Sequence, residues 1–426
     1  MQRSIFRIIF VVQSILAPII RVLGFLNSRR EFENQNLTDE LCSPWSEAES
    51  KNAFIWAFHC SSEGEFEQLK PLMQQTITNK DKIELIFTSP SVLKKVRAFA
   101  SENRDCVRIL RLPLLRPGEL SKWSKAKTLI MCRYDFFPEL LLLPVGKRIL
   151  TWASLKGKKQ SLWLKAIYAQ FDLVIASTNH QYKEIKNILA KDDHTNLEVY
   201  DFRPLQIRRR LQGKSLSTSL IELVQQKSSQ QRLILGSVWQ HDLHLLRNLL
   251  KSDESIHLWL APHDLSAYSL ESFRSFFLEN YSEFEIVSVN LKSLEDELKS
   301  LKNIALGSRK VIWMLESPGI LVELYSQFEY AYVGGGFGRS IHSVLEPTIA
   351  GCKVSCGPKT HRSTEIDLAK ELSPKQLKVV TTASDFDLWW SNAHQQPLPL
   401  EDDKVSQAIE NWIKKSDEII GRTLAH

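Results

Sequence analysis

A chain of 426 residues exceeds one ordinary core, because domains hold ~100–200 residues; two domains and an appendage are expected. With 43% hydrophobic and 24% charged residues, the composition is globular and excludes an intrinsically disordered chain. The net charge of +6 suits an acidic partner such as a phosphorylated lipid, and is too small to mark a nucleic-acid binder by itself.

The N-terminus is apolar from Ile5 to Leu26, interrupted by Arg7, Gln13, Ser14 and Arg21. Its longest uncharged stretch, Ile8 to Ile20, falls short of the ~20 residues a spanning helix needs. Arg7, Ser14 and Arg21 stack on one helical face. Residues 1–30 therefore read as an amphipathic anchor helix in the interface of a membrane, its arginines toward anionic lipid phosphates. A spanning helix and a cleaved signal peptide are the competing readings; no small-residue cleavage site follows Arg21.

From Ala53 onward, strand-like runs alternate with helical spacing. The strand candidates are Phe54–His59, Ile83–Phe87, Val107–Leu112, Thr128–Cys132, Leu173–Ala176 and Leu197–Tyr200; Phe66–Gln75 and Ser91–Ala100 carry helical spacing. This alternation implies βαβ units and a parallel sheet over 31–205. The polar, basic stretch 206–230, with Arg208, Arg209 and Arg210, reads as an interdomain linker. A second alternation fills 231–426, with Leu233–Leu235, His257–Leu260, Phe284–Val289, Val311–Met314, Tyr330–Val333, Val354–Cys356 and Leu377–Val379 as strands and Lys404 to Ile420 as a closing helix. The fold class is α/β: two doubly wound, Rossmann-like domains facing a cleft, with ligands expected beyond the carboxyl ends of the strands. The six cysteines show no CxxC spacing; Cys352 and Cys356 share a strand face and read as a buried reduced pair, which favours a reducing compartment.

The motifs follow strands. His59-Cys60-Ser61-Ser62-Glu63-Gly64-Glu65 leaves the first strand and opens a helix. Gly64 would permit a tight turn, and the positive helix end would favour an ionised Glu65, as a general base requires. Taken alone, the motif favours Glu65 as a first-turn helix charge that needs no function, and Glu63 is a rival base. The second motif, Tyr332-Val333-Gly334-Gly335-Gly336-Phe337-Gly338-Arg339-Ser340-Ile341-His342-Ser343-Val344-Leu345-Glu346-Pro347, follows a strand and enters a helix. Its glycines would let backbone N–H groups approach a phosphate, and Glu346 would accept bonds from ribose hydroxyls; no Walker A lysine follows. The segments Gly236-Ser237-Val238-Trp239, Ala261-Pro262-His263-Asp264 and Asp201-Phe202-Arg203 also sit after strands, each weak alone. His263 equally suits a hydrogen-bonded loop residue. No spacing points to a metal or an acyl-enzyme.

In this order the motifs resemble the Kdo (3-deoxy-D-manno-octulosonic acid) transferase family of lipopolysaccharide synthesis. His59, Ser62, Gly64 and Glu65 match its first motif. Phe87-Thr88-Ser89-Pro90-Ser91, Leu112-Pro113 and Tyr134-Asp135-Phe136-Phe137-Pro138 resemble its next landmarks, with Asp135 where the family has Glu. Ala331 to Pro347 is similar almost residue by residue, and Gly357-Pro358 with Glu365 closes a match running from about Ala53 to Ile366. The resemblance implies a GT-B fold and an inverting, metal-independent transfer of Kdo from CMP-Kdo to the 6′-hydroxyl of a lipid A precursor, on the cytoplasmic face of the bacterial inner membrane. No cofactor is implied beyond the CMP-Kdo donor. Glu65 would be the catalytic base. Gly334, Gly335, Gly336, Glu346, Arg203, Ser237 and His263 would bind the donor, and Ser62, Gly64 and Asp135 would line the acceptor side of the cleft. Glu63 and Arg362 depart from the family pattern; Glu63 would set a second carboxylate beside the base and raise its pKa.

The alternatives are a GT-B transferase of another activated sugar and a catalytically inactive lipid-sugar binder. Nucleic acid is not an expected partner: Lys156-Gly157-Lys158-Lys159 and Arg208–Arg210 suit solvent or membrane phosphates.

Overall fold

The computed structural model describes residues 12, 45–111, 123–133, 135–155, 162–189, 195–213, 216–226, 231–251, 256–306, 310–361, 363–393 and 403–425. The anchor helix expected over 1–30, apart from Val12, lies outside the described residues, as do Leu112-Pro113, Tyr134, the Lys156–Lys159 run and Arg362. No helix among the described residues is long and apolar enough to cross a membrane. The chain divides into two compact units, Met1–Arg203 with Lys415–His426, and Pro204–Lys414.

The first unit holds a parallel sheet of β1 (Ile55–Cys60), β2 (Lys82–Phe87), β3 (Val107–Arg111), β4 (Thr128–Cys132), β5 (Lys147–Ala153), β6 (Leu173–Ala176) and β7 (Asn196–Val199). Their spatial order is β3-β2-β1-β4-β5-β6-β7. A parallel sheet packed on both faces has no solvated side, so its inner strands run apolar rather than alternating. Accordingly every residue of β1 is buried. The charge inside β2, Glu84, is buried only because Ser124 Oγ (2.5 Å) and Lys125 N (2.9 Å) donate to it. The strand order reverses between β1 and β4, the switch point at which doubly wound sheets open a crevice.

The second unit repeats the plan with β8 (Gln231–Val238), β9 (Ile256–Pro262), β10 (Phe284–Val289), β11 (Lys310–Leu315), β12 (Tyr330–Val333), β13 (Lys353–Cys356) and β14 (Leu377–Val379). The order is β10-β11-β9-β8-β12-β13-β14, all parallel, with the switch point between β8 and β12. One face of this sheet carries Trp259 and Trp313, stacked 5.8 Å apart in the core. The described cysteines, Cys352 and Cys356 among them, are unbridged.

Two boundaries differ from those read in the sequence. The stretch expected as a linker forms the helices Arg203–Gly213 and Thr218–Gln225. Its basic character belongs to the outer face of a packed helix: Leu205 and Ile207 are buried, while Arg208 pairs with Glu410 (2.5 Å) and Arg210 with Glu323 (2.9 Å). The second unit also stops short of the C-terminus. The helix Asp403–Thr423 ends in the first unit, where Arg422 pairs with Glu198 (3.2 Å) and Lys147 Nζ donates to the Ala425 carbonyl (2.8 Å). Replacing Trp259, which is fully buried, by alanine should cost about 3–5 kcal/mol, read as a lower denaturant midpoint for the second unit's fluorescence transition.

Candidate functional site

The switch point of the first sheet gathers charged side chains that a buried strand end would not otherwise tolerate. After β1 the chain turns at Ser61 and Ser62, and the Ser62 hydroxyl caps the helix Glu63–Thr78 by accepting from Glu65 N (3.3 Å). That cap places Glu65 in the first helical turn, its side chain directed back toward the strand. Ser61 donates to Glu65 Oε2 twice, from its backbone N (2.7 Å) and its Oγ (2.9 Å). Both bonds fall on Oε2. Glu65 is buried, and burial raises its carboxyl above the ordinary value; Asp135 pushes the same way, whereas the Ser61 bonds and Arg133 oppose.

Three expectations change, two for this motif and one for Asp201-Phe202-Arg203. Gly64 is not demanded by the turn: it lies within the helix, and a Cβ there would meet nothing within 4 Å. Glu63 does not load the base with a second charge, because it is exposed and pairs with Lys95 (3.2 Å). Arg203, expected to hold the donor, is bound to the buried Asp201 through Nε (3.0 Å to each oxygen) and Nη2, and Gln68 Nε2 donates to the same carboxylate (3.1 Å). The short Asp201–Arg203 spacing makes this pair a local clamp.

Around Glu65 stand His59 and Asp135, both named in the motifs, and Arg133, which the motif reading left out. His59 is fully buried at the end of β1, with Nε2 at 3.2 Å from Thr88 Oγ1 and its ring edge against Phe137; burial lowers its pKa to about 4, so it is neutral. Arg133 and Asp135 follow β4. The Arg133 guanidinium lies 3.9 Å from the ring centroid of Trp152, on the neighbouring β5, and Arg203 approaches the same indole to 4.4 Å. Both Arg133 (φ 64°) and Trp152 (φ 54°) are left-handed, and the β5–β6 register shifts where Trp152 stands. Such backbone costs of order 1–3 kcal/mol per residue and persists where the surroundings enforce it.

The second switch point is organised by another buried carboxylate, Asp242. It accepts from Trp239 N (2.9 Å), Gly335 N (3.0 Å) and Tyr332 OH (2.9 Å), tying the end of β8 to the glycine loop after β12. Gly335 has φ 90°, and a Cβ on Gly336 would lie 2.5 Å from the Gly357 Cα. These glycines are required by the fold itself. The expected phosphate cradle is narrowed accordingly: the N–H of Gly334 is spent on the Gly236 carbonyl (2.9 Å) and that of Gly335 on Asp242, because the loop must bond inward to hold its shape. Ser237, left-handed at φ 50° on a bulge of β8, presses its backbone against Gly334.

His263, after β9, is exposed and stacks on His342 (centroids 4.1 Å) and Trp239 (4.7 Å). Trp239 Nε1 donates to His342 Nε2 (3.1 Å), which requires a neutral His342; burial lowers its pKa to about 4. Trp239, His263 and His342 thus make an aromatic surface at the strand ends. Glu346 lies at the first turn of the helix Leu345–Ala350, where burial and the charges of Glu365 and Glu323 raise its pKa to about 7 against the pull of Arg210. Among the described residues no group of His, Cys, Asp or Glu side chains is arranged to hold a metal.

Replacing Glu346 by glutamine should therefore stabilise the fold above pH 7, where the native residue must ionise, and change little near pH 5. A raised folded-state pKa in an acid means that stability is lost as pH climbs from its unfolded value of 4.5 through about 7. Urea midpoints at the two pH values would register the difference, of order 1–3 kcal/mol.

No protein-family model matches the chain. A 3-deoxy-D-manno-octulosonic acid transferase of Aquifex aeolicus (strain VF5) is 25% identical over 320 residues, covering 73% of this chain and 78% of that protein. A bifunctional glycosyltransferase/methyltransferase of Fusobacterium nucleatum is 21% identical over 378 residues, 83% of this chain and 52% of its own. A solved protein from Listeria monocytogenes, described as a UDP-N-acetylglucosamine 2-epimerase, has a TM-score of 0.52 at 10% identity, covering 87% of this chain and 96% of that one; this likeness is one of fold. The chain is thus of GT-B type, built from two parallel-sheet α/β domains, and it is similar to the Kdo transferases, the family its motifs resemble.

Proposed function

We propose that this protein transfers Kdo from CMP-Kdo to the 6′-hydroxyl of a lipid A precursor, with inversion. The observation that carries the reading is the buried, Ser61-anchored Glu65 at the switch point of a chain 25% identical to a Kdo transferase. Glu65 Oε1 accepts the proton of the acceptor hydroxyl. The hydroxyl oxygen forms its bond to the anomeric carbon of Kdo as the bond to the CMP phosphate breaks, and the electron pair leaves with CMP. A base raised above the ordinary carboxylate value toward the working pH takes that proton with more driving force than a solvated glutamate.

The donor belongs at the second switch point. Ser237, Gly336, His263 and Glu346 border it there, joined by Trp239 and His342, whose rings offer a stacking surface to a pyrimidine. The exposed Arg339 gives the loop a cation toward the phosphate and the Kdo carboxylate. The apolar, arginine-bearing N-terminus would hold the enzyme at an anionic membrane surface, on the cytoplasmic face of the inner membrane, where a lipid acceptor is presented.

Mass spectrometry of a tetra-acylated lipid A precursor incubated with protein and fresh CMP-Kdo tests the proposal. The wild type should add the mass of Kdo, and Glu65→Gln should lower the rate by roughly 10²–10⁴. Because the active form is the carboxylate, the wild-type rate should rise with pH through the raised Glu65 pKa and then level off. An unmodified lipid would refute Kdo transfer to this acceptor, and an undiminished Glu65→Gln rate would refute the base.

A further inference from the structure

The turn after β4 delivers two opposite charges to one carboxylate. Strand β1 pairs with β4 so that His59 faces Met131, and two residues further along each chain come Ser61, the residue that holds Glu65, and Arg133. Arg133 is fixed there from three directions. Its N–H continues the sheet by donating to the Thr151 carbonyl (3.0 Å), its backbone is left-handed, and its guanidinium lies on Trp152, itself held in a left-handed conformation on the bulge of β5. Adjacent strand ends therefore each carry a strained, bulky, non-glycine residue, and the two touch. Glycine would satisfy φ 64° without strain, so the side chain is the reason to keep arginine in this turn.

We propose that Arg133 is a positioning residue for Glu65: strapped across Trp152, it keeps the carboxylate ionised against burial and against Asp135. This rests on the reading of Glu65 as the base. The other groups packed around it do not supply that charge. Glu63 and Glu67, on its own helix, pair with Lys95. His59 and the thiols of Cys60 and Cys132, at the ends of β1 and β4, are held neutral by burial. Arg203, beyond β7, is clamped to Asp201. Arg133 and Asp135 pull Glu65 in opposite directions, and the shift on Glu65 carries both influences.

The test follows the Glu65 carboxyl directly, in full-length protein labelled with ¹³C at the glutamate side-chain carboxyl, its resonance identified by its loss in Glu65→Gln. Arg133→Met should move the titration midpoint up, and Asp135→Asn should move it down. Arg133→Lys should restore the midpoint at least in part. Arg133→Gly removes the charge while suiting the left-handed backbone, so it should match the methionine variant even if that variant folds poorly. The acid limb of the Kdo-transfer rate should shift in the same order across the series. Midpoints unmoved in both Arg133→Met and Arg133→Gly would overturn the proposal whatever the activity. Shifted midpoints in a wild-type protein that transfers no Kdo would support the coupling and overturn the reading as a Kdo transferase, and an undiminished Glu65→Gln rate would overturn the assignment of Glu65 as base.

Discussion

A carboxylate removed from water must be given hydrogen bonds by the protein or lose its charge, and each switch point is arranged around one such group. In the first unit Ser61 supplies two donors to Glu65. In the second, Asp242 collects a tryptophan amide, a glycine amide and a tyrosine hydroxyl. The two solutions differ in what they leave over. Asp242 has both oxygens bonded, and so it serves as a fastener. Glu65 has both its donors on one oxygen. The same sheet geometry thus holds two buried acids differently, the difference lying in how the strand ends distribute their donors.

Backbone strain is confined in a way that agrees with this division. Lys80, the left-handed residue remote from either site, merely ends a helix. Arg133, Trp152 and Ser237 stand at the carboxyl ends of β4, β5 and β8, beside the switch points. Left-handed backbone at a bulky side chain is costly enough to be lost unless something retains it. At Trp152 and Ser237 it accompanies a shift of strand register, and at Arg133 it follows the last residue of β4.

Most of the architecture was legible because parallel strands inside a sheet appear as apolar runs, as in Thr128–Cys132, Leu173–Ala176 and Tyr330–Val333, while the edge strands Phe284–Val289 and Leu377–Val379 stay mostly apolar around Glu285 and Lys378; all five appear in the structure with the bounds read from the sequence. Strand β5 was missed because it opens with Lys147 and Arg148, whose charges mask the apolar run behind them. The helices over 203–225 were taken for a linker because a basic outer face and a solvated loop have the same composition. Glu65 was readable, since its cap and its anchor lie within four residues of it. Asp242 was not: its partners Tyr332 and Gly335 are 90 and 93 residues away, and an acid in Gln240–Arg247 carries no local mark of burial. Arg133 was hidden for the same reason, its meaning supplied by Trp152 on another strand. The glycines of 334–336 were noticed for their freedom to approach a ligand, whereas two of them spend their amides on their own protein.

The helix Asp403–Thr423 begins in the unit encoded by the middle of the chain and ends in the unit encoded by its beginning. The polypeptide therefore crosses between units twice, at residues 203–204 and 414–415. A single cut between them leaves one covalent tether intact, and neither half of such a cut contains the whole of the first unit. During synthesis the order of completion is inverted: the second unit, contiguous in sequence, can close as soon as it has emerged, whereas the first unit waits for residues 415–426. The segment bearing Glu65 is thus made before the second unit and belongs to the unit finished after it.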